Sequence, residues 1–477
     1  MEKTAIIAVA LLLAYLCPAR KTYWFAVFPL SLIAAFYTPV GLVYGYPDYQ
    51  SLASFLATDR QEASEFLSLI PAKSYLKAVA IPLLAWLAHR IAQRLSIRPW
   101  RNKVFTLVVI ASLVVALRPT SFFYKATKAV TENIRAEATL KQYVSTSSWK
   151  DTTPVTEPRD YVLVIGESAR RDYFHTYGYP VPNTPFLDKA PITLVDGLEA
   201  GASWTIGSLR IMLTDPDRES WEPRFDRNLI DLAKSAGIET FWISVQGFVG
   251  KWDTPISSIG SRADHAVFLN KRGYDSSRHS DYEILSVFKK KLGMKSHGSR
   301  LFVLHTLGSH PDACSRLYDF PQAYTTKDPV MRYVACYVST IHKTDSFLEK
   351  TYGILKHQST EIGRPFSMIY FADHGQVHQK IDGEIRIHNN FCSAHHHEIP
   401  LVKFDSDATE RKVLKSYKSG GLFTAGLAHW MGIKNPELPA ENLFDGKNDP
   451  EFGFNERVST NCRTDDRAID LTPYLKR

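Results

Sequence analysis

Apolar positions divide the chain into two parts of different character. Four apolar runs occupy the first 120 residues, at about Thr4 to Cys17, Tyr23 to Tyr44, Tyr75 to Ala92 and Val104 to Leu117. Runs of roughly 17 to 25 apolar residues predict transmembrane helices, and the first and fourth runs, which are shorter, need tilt or flanking residues to span. A signal peptide is the alternative for the first run, but no convincing cleavage site follows it. We therefore predict a transmembrane helical domain over residues 1–120.

Basic residues between the apolar runs predict the orientation of the membrane part. Arg20 and Lys21 follow the first run, and a denser basic cluster follows the third run at Arg90, Arg94, Arg98, Arg101 and Lys103. Positive loops stay on the cytoplasmic side, so the loop 45–74 and everything after the fourth run are predicted to lie outside the cytoplasm. The same distribution of basic residues places Met1 outside the cytoplasm, which would be natural if the gene model lacked one upstream span.

The remaining sequence has the pattern of a connector followed by an α/β domain. Residues 121–158 begin with apolar and charged positions at helical spacing and end in the polar stretch STSSWKDTTPVTEP, which predicts a helical connector and a linker. From 159 to 477, short apolar runs rich in β-branched residues alternate with longer helix-like stretches; the runs lie at 161–167, 240–246, 300–306 and 366–375. Continuous apolar strands between helices predict a mostly parallel sheet covered on both faces.

Charge and cysteine content narrow the class of protein. The net charge is +8, but Lys and Arg form no basic stripe with interleaved aromatic residues, so we expect no nucleic-acid partner. Of the five cysteines, Cys17 lies in an apolar run, and the other four form an even number that suits an oxidising compartment. Spacing does not determine their pairing. Our prediction is Cys314 with Cys336 and Cys392 with Cys462, and four free thiols are the alternative.

Polar side chains collect where the predicted strands end. Glu167 ends the first run, His305 lies in the third with His310 just beyond it, and Asp373 and His374 end the fourth. Any one of them alone would be read as a helix cap or a loop hydrogen bond. In an open α/β sheet, however, sites form at the carboxyl ends of strands, and this set offers the oxygen and nitrogen ligands that suit Zn²⁺.

A candidate nucleophile lies between the first two strands. Thr205 stands in GASWTIGSLRIML (201–213), where small residues and hydroxyls precede a segment with helical spacing. A threonine at a helix N-terminus, with its oxygen on a metal, would lose its proton near neutral pH and face a phosphate held by backbone N–H groups. The local sequence leaves an ordinary helix cap equally open.

The ordered motifs resemble a known family. GESARRD (166–172), NTPFLD (183–188), TIGSL (205–209), LHTLGSH (304–310), ADHG (372–375) and RIHNNF (386–391) are similar to the phosphoethanolamine transferases of the alkaline phosphatase and sulfatase superfamily. Segments such as GLVYGYPDYQSLASFLATDRQEASEFL and GSHPDACSR look closest to the members that modify osmoregulated periplasmic glucans. The likeness covers nearly the whole chain.

The resemblance implies an inner-membrane enzyme with a sulfatase-like catalytic domain in the periplasm. It implies transfer of phosphoethanolamine from phosphatidylethanolamine, in the lipid bilayer, to a glucan or lipopolysaccharide acceptor, with glucan favoured. The implied zinc ligands are Glu167, Thr205, Asp373 and His374. Thr205 would carry the covalent intermediate, while His310 and His388 would handle substrate. His305 is a weaker substrate-binding candidate that we expect to pack beneath the site.

Departures from the family pattern bear on the acceptor. Lipid A enzymes of the family commonly carry a cysteine-flanked nucleophile loop and an acidic residue after Asp-His-Gly, whereas this loop has no cysteine and the position is Gln376. A glucan acceptor is therefore preferred to lipid A. The sequence also leaves open a phosphoglycerol transferase of the same superfamily and a non-catalytic membrane scaffold. The run His395 to His397 is expected to be a solvated loop, with an additional metal site as the alternative.

Overall fold

The structure is a computed structural model that describes most of the chain. The described residues are 10–45, 52, 64, 67, 70–115, 120–143, 146–246, 254–270, 279–381, 383–389, 393–451 and 466–476. The chain forms two compact units, one of residues 1–56 and 66–136 and the other of residues 57–65 and 137–477. The predicted domain limits at residues 120 and 158 lie on either side of the boundary between the two units, which falls after residue 136.

The first unit consists of helices with outward-facing apolar side chains. Its longer helices among the described residues are α1 Phe28–Tyr44, which continues the helical segment Arg20–Val27, α2 Ala72–Arg94, α3 Lys103–Val115 and most of α4 Thr120–Tyr143. The segments Arg20–Val43 and Ala72–Arg94 are long and apolar enough to cross a membrane, and Lys103–Ser112 is a shorter apolar helix. Phe25, Phe36 and Leu76 are 85%, 87% and 72% exposed. A core helix of a soluble protein would bury such side chains, so this surface favours contact with lipid.

These helices coincide with three of the four predicted apolar spans. The runs Tyr23 to Tyr44 and Tyr75 to Ala92 coincide with the two long helices, and Val104 to Leu117 overlaps the shorter one. The run Thr4 to Cys17 lies partly outside the described residues, and its described part is helical over residues 10–16. Four membrane crossings therefore stay a prediction.

The second unit is built on one large sheet. Its strands are β1 Asp160–Gly166, β2 Thr193–Glu199, β3 Glu239–Ser244, β4 His265–Phe268, β5 Arg300–His305, β6 Phe366–Ala372, β7 Val377–Ile381, β8 Glu384–His388, β9 Leu401–Asp405 and β10 Lys412–Ser419. Among the described residues, eight strands pair in the order β10-β2-β9-β6-β1-β5-β3-β4, and β7 and β8 form a separate hairpin. Within the described part of the large sheet, β9 alone runs antiparallel to its neighbours. The mostly parallel sheet predicted from the sequence is confirmed.

Helices cover both faces of this sheet, which explains the apolar strands. The helices of the unit are α5 Thr205–Met212, α6 Leu229–Ser235, α7 Pro255–Gly260, α8 Asp281–Leu292, α9 Arg332–Ile362, α10 Ala394–His397 and α11 Phe423–Trp430. Every residue of β1, β5 and β6 is buried, without the alternation of a sheet that has one wet face. The core is therefore continuous across the central strands.

Strand register decides which side chains meet at the carboxyl edge. β1 lies between β5 and β6, with Ile165 opposite His305 and Gly166 opposite Ala372. Because all three strands run in the same direction, the residues that follow them emerge together. Glu167 leaves β1 at the level where Asp373 leaves β6, so the sheet itself brings two carboxylates side by side.

A disulfide closes part of the second unit. Cys314 and Cys336 are bonded, as predicted, across a sequence separation of 22 residues. Cys392 and Cys462 lie outside the described residues, so their pairing stays a prediction. Cys17 is a buried free thiol, as its place in an apolar run suggested.

We predict that the variant Cys314→Ser/Cys336→Ser loses about 3 kcal/mol of unfolding free energy, because a crosslink over a loop of this size restricts the unfolded chain. Denaturant unfolding of the second unit, followed by circular dichroism in non-reducing buffer, measures the change. Reductant should lower the stability of the wild type more than that of the variant, in which only the predicted Cys392–Cys462 bond remains to be reduced. Equal stability of the oxidised wild type and the variant would contradict the prediction.

Candidate metal and nucleophile site

Three predicted ligands form one buried cluster at the carboxyl edge. Glu167, Asp373 and His374 are each no more than 1% exposed. One ligand atom from each residue lies within 4.8 Å of the others, a spacing suited to sharing one metal ion. No second group of this kind occurs in the described part of the chain. Two carboxylates and an imidazole form an oxygen and nitrogen donor set that suits a catalytic divalent ion.

Thr205 presents its hydroxyl to this cluster. Its Oγ1 lies 3.1 and 3.2 Å from the two carboxylate oxygens of Glu167 and 3.2 Å from Nε2 of His374. Thr205 is the first residue of α5, and Trp204 occupies the cap position before it. The ordinary helix-cap alternative therefore does not describe Thr205, whose oxygen points at the candidate metal ligands.

Helix α5 is tied directly to the loop that carries Asp373. The Ser208 hydroxyl donates to the backbone carbonyl of Asp373 at 2.6 Å and accepts from the Gly201 N–H at 3.0 Å. Through Ser208, the start of the loop 201–204 is tied to the backbone that follows β6. The first turn of α5 holds Thr205 where its backbone N–H groups can also face an anion.

Sequence reasoning missed two side chains that orient Glu167. The Ser168 hydroxyl donates to Glu167 Oε1 at 2.7 Å, and the Gln246 amide donates to Oε2 at 3.3 Å. The Ser168 backbone N–H also donates to Oδ1 of Asp373 at 2.8 Å. The sequence offered one signal for each residue. Ser168 directly follows Glu167, and Gln246 ends the apolar run TFWISVQ in the same way that Glu167 ends the apolar run before it.

The loop after β5 approaches Glu167 very closely. Gly308 has a φ of +45°, and a Cβ there would lie 2.9 Å from both the N and the O of Glu167. The Ser309 N–H donates to the Glu167 carbonyl at 2.9 Å. Only glycine fits this contact, which explains the Gly-Ser step before His310 in LHTLGSH.

One carboxylate oxygen of the cluster has no hydrogen-bond partner. Asp373 Oδ1 accepts from two backbone N–H groups, those of Ser168 and His374, whereas Oδ2 is buried without a hydrogen-bond partner and lies 3.3 Å from Nε2 of His374. An unsatisfied buried oxygen is costly, and a bound cation would satisfy it. Asp373 Oδ2 is therefore a ligand position that fits a metal ion.

His374 is oriented to offer its other ring nitrogen. Its Nδ1 lies 2.5 Å from the Gly375 carbonyl, which directs a proton to Nδ1 and leaves Nε2 facing Thr205 and the carboxylates. Metal-binding histidines are commonly fixed by a hydrogen bond of this kind. The backbone beyond Asp373 thus selects the ring nitrogen that can ligate.

The charges of the cluster are strongly coupled. Burial would raise the pKa of Glu167, but hydrogen bonding to His374 and the His374 charge lower it to about 2. Burial and the neighbouring Glu167 raise the pKa of Asp373 well above its usual range. Burial would lower the pKa of His374, but Asp373 and Glu167 outweigh it and raise the value to about 9. In the absence of a metal, bound protons offset the negative charge of the two carboxylates.

The other predicted histidines occupy three different environments. His305 is buried with Nδ1 at 3.3 Å from the Ser244 hydroxyl, and burial lowers its pKa to about 4. His310 is partly buried, and its charge helps to lower the pKa of Glu167. His388 is buried at the end of β8, opposite Val377 of β7. His305 is thus buried at the end of β5, and the roles of His305, His310 and His388 stay predictions.

The solvated loop expected at His395 to His397 is wrong. These residues form the short helix α10, in which His396 and His397 are buried. The His396 ring lies 5.8 Å from the His374 ring, and His395 is paired with Glu398 at 2.9 Å. Packing against the Asp-His-Gly loop withdraws two of the three imidazoles from solvent, which the local sequence does not reveal.

Comparison with known proteins identifies the family. A family model described as Sulfatase matches residues 159–433. A Haemophilus influenzae protein named "Putative phosphoethanolamine transferase" is 45% identical over 378 residues, which cover 78% of this chain and 77% of the relative. The phosphoethanolamine transferase OpgE of Escherichia coli is 29% identical over 430 residues, which cover 86% of this chain and 80% of OpgE. The chain therefore belongs to the phosphoethanolamine transferases of the sulfatase family.

Solved structures show the same fold. The integral membrane lipooligosaccharide phosphoethanolamine transferase A (EptA) of Neisseria meningitidis matches with a TM-score of 0.61 at 18% identity, over 86% of this chain and 84% of EptA. The C-terminal periplasmic domain of Escherichia coli EcEptC, solved in complex with Zn, matches with a TM-score of 0.54 at 21% identity, over 63% of this chain and 90% of that domain. The predicted fold class and enzyme class are confirmed.

We predict that metal affinity of the cluster rises with pH. A metal must displace the proton that His374 retains because its pKa is raised to about 9, so below about pH 9 the displacement of this proton weakens binding by about tenfold per pH unit. Chelator competition with zinc as the probe, at pH 6, 7 and 8, measures the slope after correction for the chelator. An affinity that does not change between pH 6 and 8 would contradict the prediction that the metal-free cluster retains protons.

Proposed function

We propose that the protein moves phosphoethanolamine from phosphatidylethanolamine to a glycan acceptor of the cell envelope, with osmoregulated periplasmic glucan as the favoured acceptor. One observation carries the proposal: the Thr205 hydroxyl lies within 3.2 Å of both Glu167 and His374. A hydroxyl held against buried metal-ligating groups is the arrangement that an activated oxygen nucleophile needs.

Zinc is the metal that we propose for this site. The Oδ2 of Asp373, which has no hydrogen-bond partner, and the mixed oxygen and nitrogen donors suit it, with Glu167, Thr205, Asp373 and His374 as ligands. The related EcEptC domain was solved with Zn, which supports the same choice here. Bound zinc would supply Lewis-acid chemistry, lowering the pKa of the threonine hydroxyl and polarising the phosphoryl oxygen.

The reaction proceeds by two displacements at phosphorus. In the first, the Thr205 hydroxyl loses its proton and its Oγ–P bond forms, the P–O bond to diacylglycerol breaks, and the departing oxygen takes a proton. In the second, an acceptor hydroxyl loses its proton and forms the new O–P bond, while the Thr205 Oγ–P bond breaks and the Thr205 oxygen takes a proton again. His310 and His388 are proposed to give and take these protons, and the N–H groups of the first turn of α5 hold the phosphoryl oxygens.

A membrane location matches the proposed donor. The exposed apolar surfaces of Arg20–Val43 and Ala72–Arg94 support anchoring in the inner membrane, with the second unit in the periplasm. A phospholipid presents its headgroup at the bilayer surface, so anchoring raises the local concentration of donor around the enzyme. The disulfide Cys314–Cys336 supports an oxidising compartment for the second unit.

We predict that Thr205→Ala lowers transfer by about three orders of magnitude or more, because it removes the nucleophile. Its unfolding free energy should fall by only about 1 kcal/mol, the contribution of one hydrogen-bonding hydroxyl. Ser203→Ala, which removes a hydroxyl two residues earlier in the same loop, is the matched control and should keep wild-type transfer. Turnover by Thr205→Ala near the wild-type rate would refute the assignment.

Intact mass spectrometry after incubation with phosphatidylethanolamine identifies the transferred group. An aminoethyl phosphate adduct on the wild type and Ser203→Ala, and none on Thr205→Ala, is the expected result. A glycerol phosphate adduct after incubation with phosphatidylglycerol, without an aminoethyl phosphate adduct, would support a phosphoglycerol transferase instead.

The acceptor is tested in cells. We predict that deletion of the gene removes the aminoethyl phosphate group from periplasmic glucans and leaves lipopolysaccharide unchanged, with both fractions examined by mass spectrometry. The wild-type gene should restore the modification and the Thr205→Ala gene should not. Loss from lipopolysaccharide alone would replace glucan by lipopolysaccharide as the acceptor.

A further inference from the structure

A second buried charge network lies beside the metal cluster and uses none of its ligands. The Arg170 guanidinium, which is 0% exposed, is three residues past Glu167. It donates to Asp172 at 2.6 and 2.9 Å, to Asp466 Oδ2 at 3.0 Å and to the Gln376 carbonyl at 3.2 Å. The Asp466 backbone carbonyl also accepts from Arg170.

The other oxygen of Asp466 holds the loop that follows the remaining ligands. Asp466 Oδ1 lies 2.9 Å from Nδ1 of His378 and accepts from the His378 backbone N–H at 3.2 Å. His378 Nε2 in turn lies 2.6 Å from the Tyr173 hydroxyl. His378 is four residues past His374, so one carboxylate contacts the chain just beyond Glu167 and just beyond Asp373 and His374.

The Arg170 stem packs against the ligand loop itself. A Cβ on Gly375, the residue after His374, would lie 2.7 Å from Cγ of Arg170. A shift of Arg170 would therefore displace both ligand-bearing loops, because its stem contacts one and its backbone belongs to the other. Removing Asp466 leaves the buried guanidinium with Asp172 as its remaining carboxylate partner, which is 23% exposed.

The C-terminal segment that carries Asp466 is held in place by further contacts. The Ala468 N–H donates to Asp172 Oδ2 at 2.8 Å, and the Tyr179 hydroxyl donates to the Ile469 carbonyl at 2.8 Å. Leu471 is fully buried in the core. Asp466 is thus presented to Arg170 by a docked segment almost 300 residues away in sequence.

We propose that Asp466 is a positioning residue for the metal site, fixing through Arg170 and His378 the two loops that carry Glu167, Asp373 and His374. This inference rests on the proposed function, because it assumes that these residues hold zinc. Residues that orient metal ligands from outside the ligand set affect metal affinity by about 10- to 100-fold when they are replaced.

The test compares zinc affinity in the full-length protein carrying Asp466→Asn with that of Asp470→Asn. Asp470 is exposed, lies four residues further along the same segment and accepts only a local N–H, that of Thr472, among its described contacts. Zinc alone is the probe, in competition with a chromophoric chelator. Thermal unfolding of the metal-free proteins checks that each variant is folded.

We expect Asp466→Asn to weaken zinc binding by about 10- to 100-fold and Asp470→Asn to match the wild type. Transfer activity of Asp466→Asn should be lost at limiting zinc and restored by excess zinc, which a general loss of folded protein would not produce. If Asp466→Asn does not fold, Asp466→Glu, which keeps the charge but moves the carboxylate, is measured in the same way and is also expected to bind zinc more weakly.

Wild-type zinc affinity in a folded Asp466→Asn, or in Asp466→Glu where that variant is used, overturns this inference and leaves the proposed function intact. An equal loss of affinity in Asp470→Asn also overturns it, because the effect would then belong to the segment in general. A wild-type protein that binds no zinc overturns the proposed function and this inference with it.

Discussion

The electrostatic cost of placing Glu167 and Asp373 side by side in the interior governs the site. Both carboxylates are buried, and this burial together with the proximity of Glu167 raises the pKa of Asp373 well above its usual range. Such a pair persists only with positive charge next to it, from protons or from a metal ion. His374 supplies a proton in the absence of metal, and the same three groups can supply ligands in its presence. The chemistry that we propose follows from this requirement.

The sheet imposes that proximity. Because β1 and β6 are adjacent and parallel, with Gly166 opposite Ala372, their next residues emerge together at one edge. Helix α5 then adds the Thr205 hydroxyl, and hydrogen bonds from Ser168, Ser208 and Gln246 fix the cluster from outside. The fold thus concentrates charge that the core would otherwise exclude, as phosphoryl-transfer sites generally require.

Sequence patterns predicted the features of this arrangement that depend on residues close to one another along the chain. Apolar runs ending in Glu167 and in Asp373-His374 predicted both the parallel strands and the edge at which their ligands meet. The motif resemblance predicted the family. Contacts between distant segments had no local signal: Arg170 meets Asp466 across 296 residues, and His396 is buried only because α10 packs against the Asp-His-Gly loop. The Gln246 contact likewise depends on β3 lying beside β5.

Anomalous diffraction at the zinc edge, from crystals of the full-length protein grown with zinc, tests the central claim most directly. The account predicts one strong peak bonded to Glu167, Asp373, His374 and the Thr205 hydroxyl oxygen, at about 2.0 to 2.2 Å from each ligand atom. Zinc held elsewhere, or a zinc at the carboxylates with the Thr205 oxygen too far away to bond, would contradict the account.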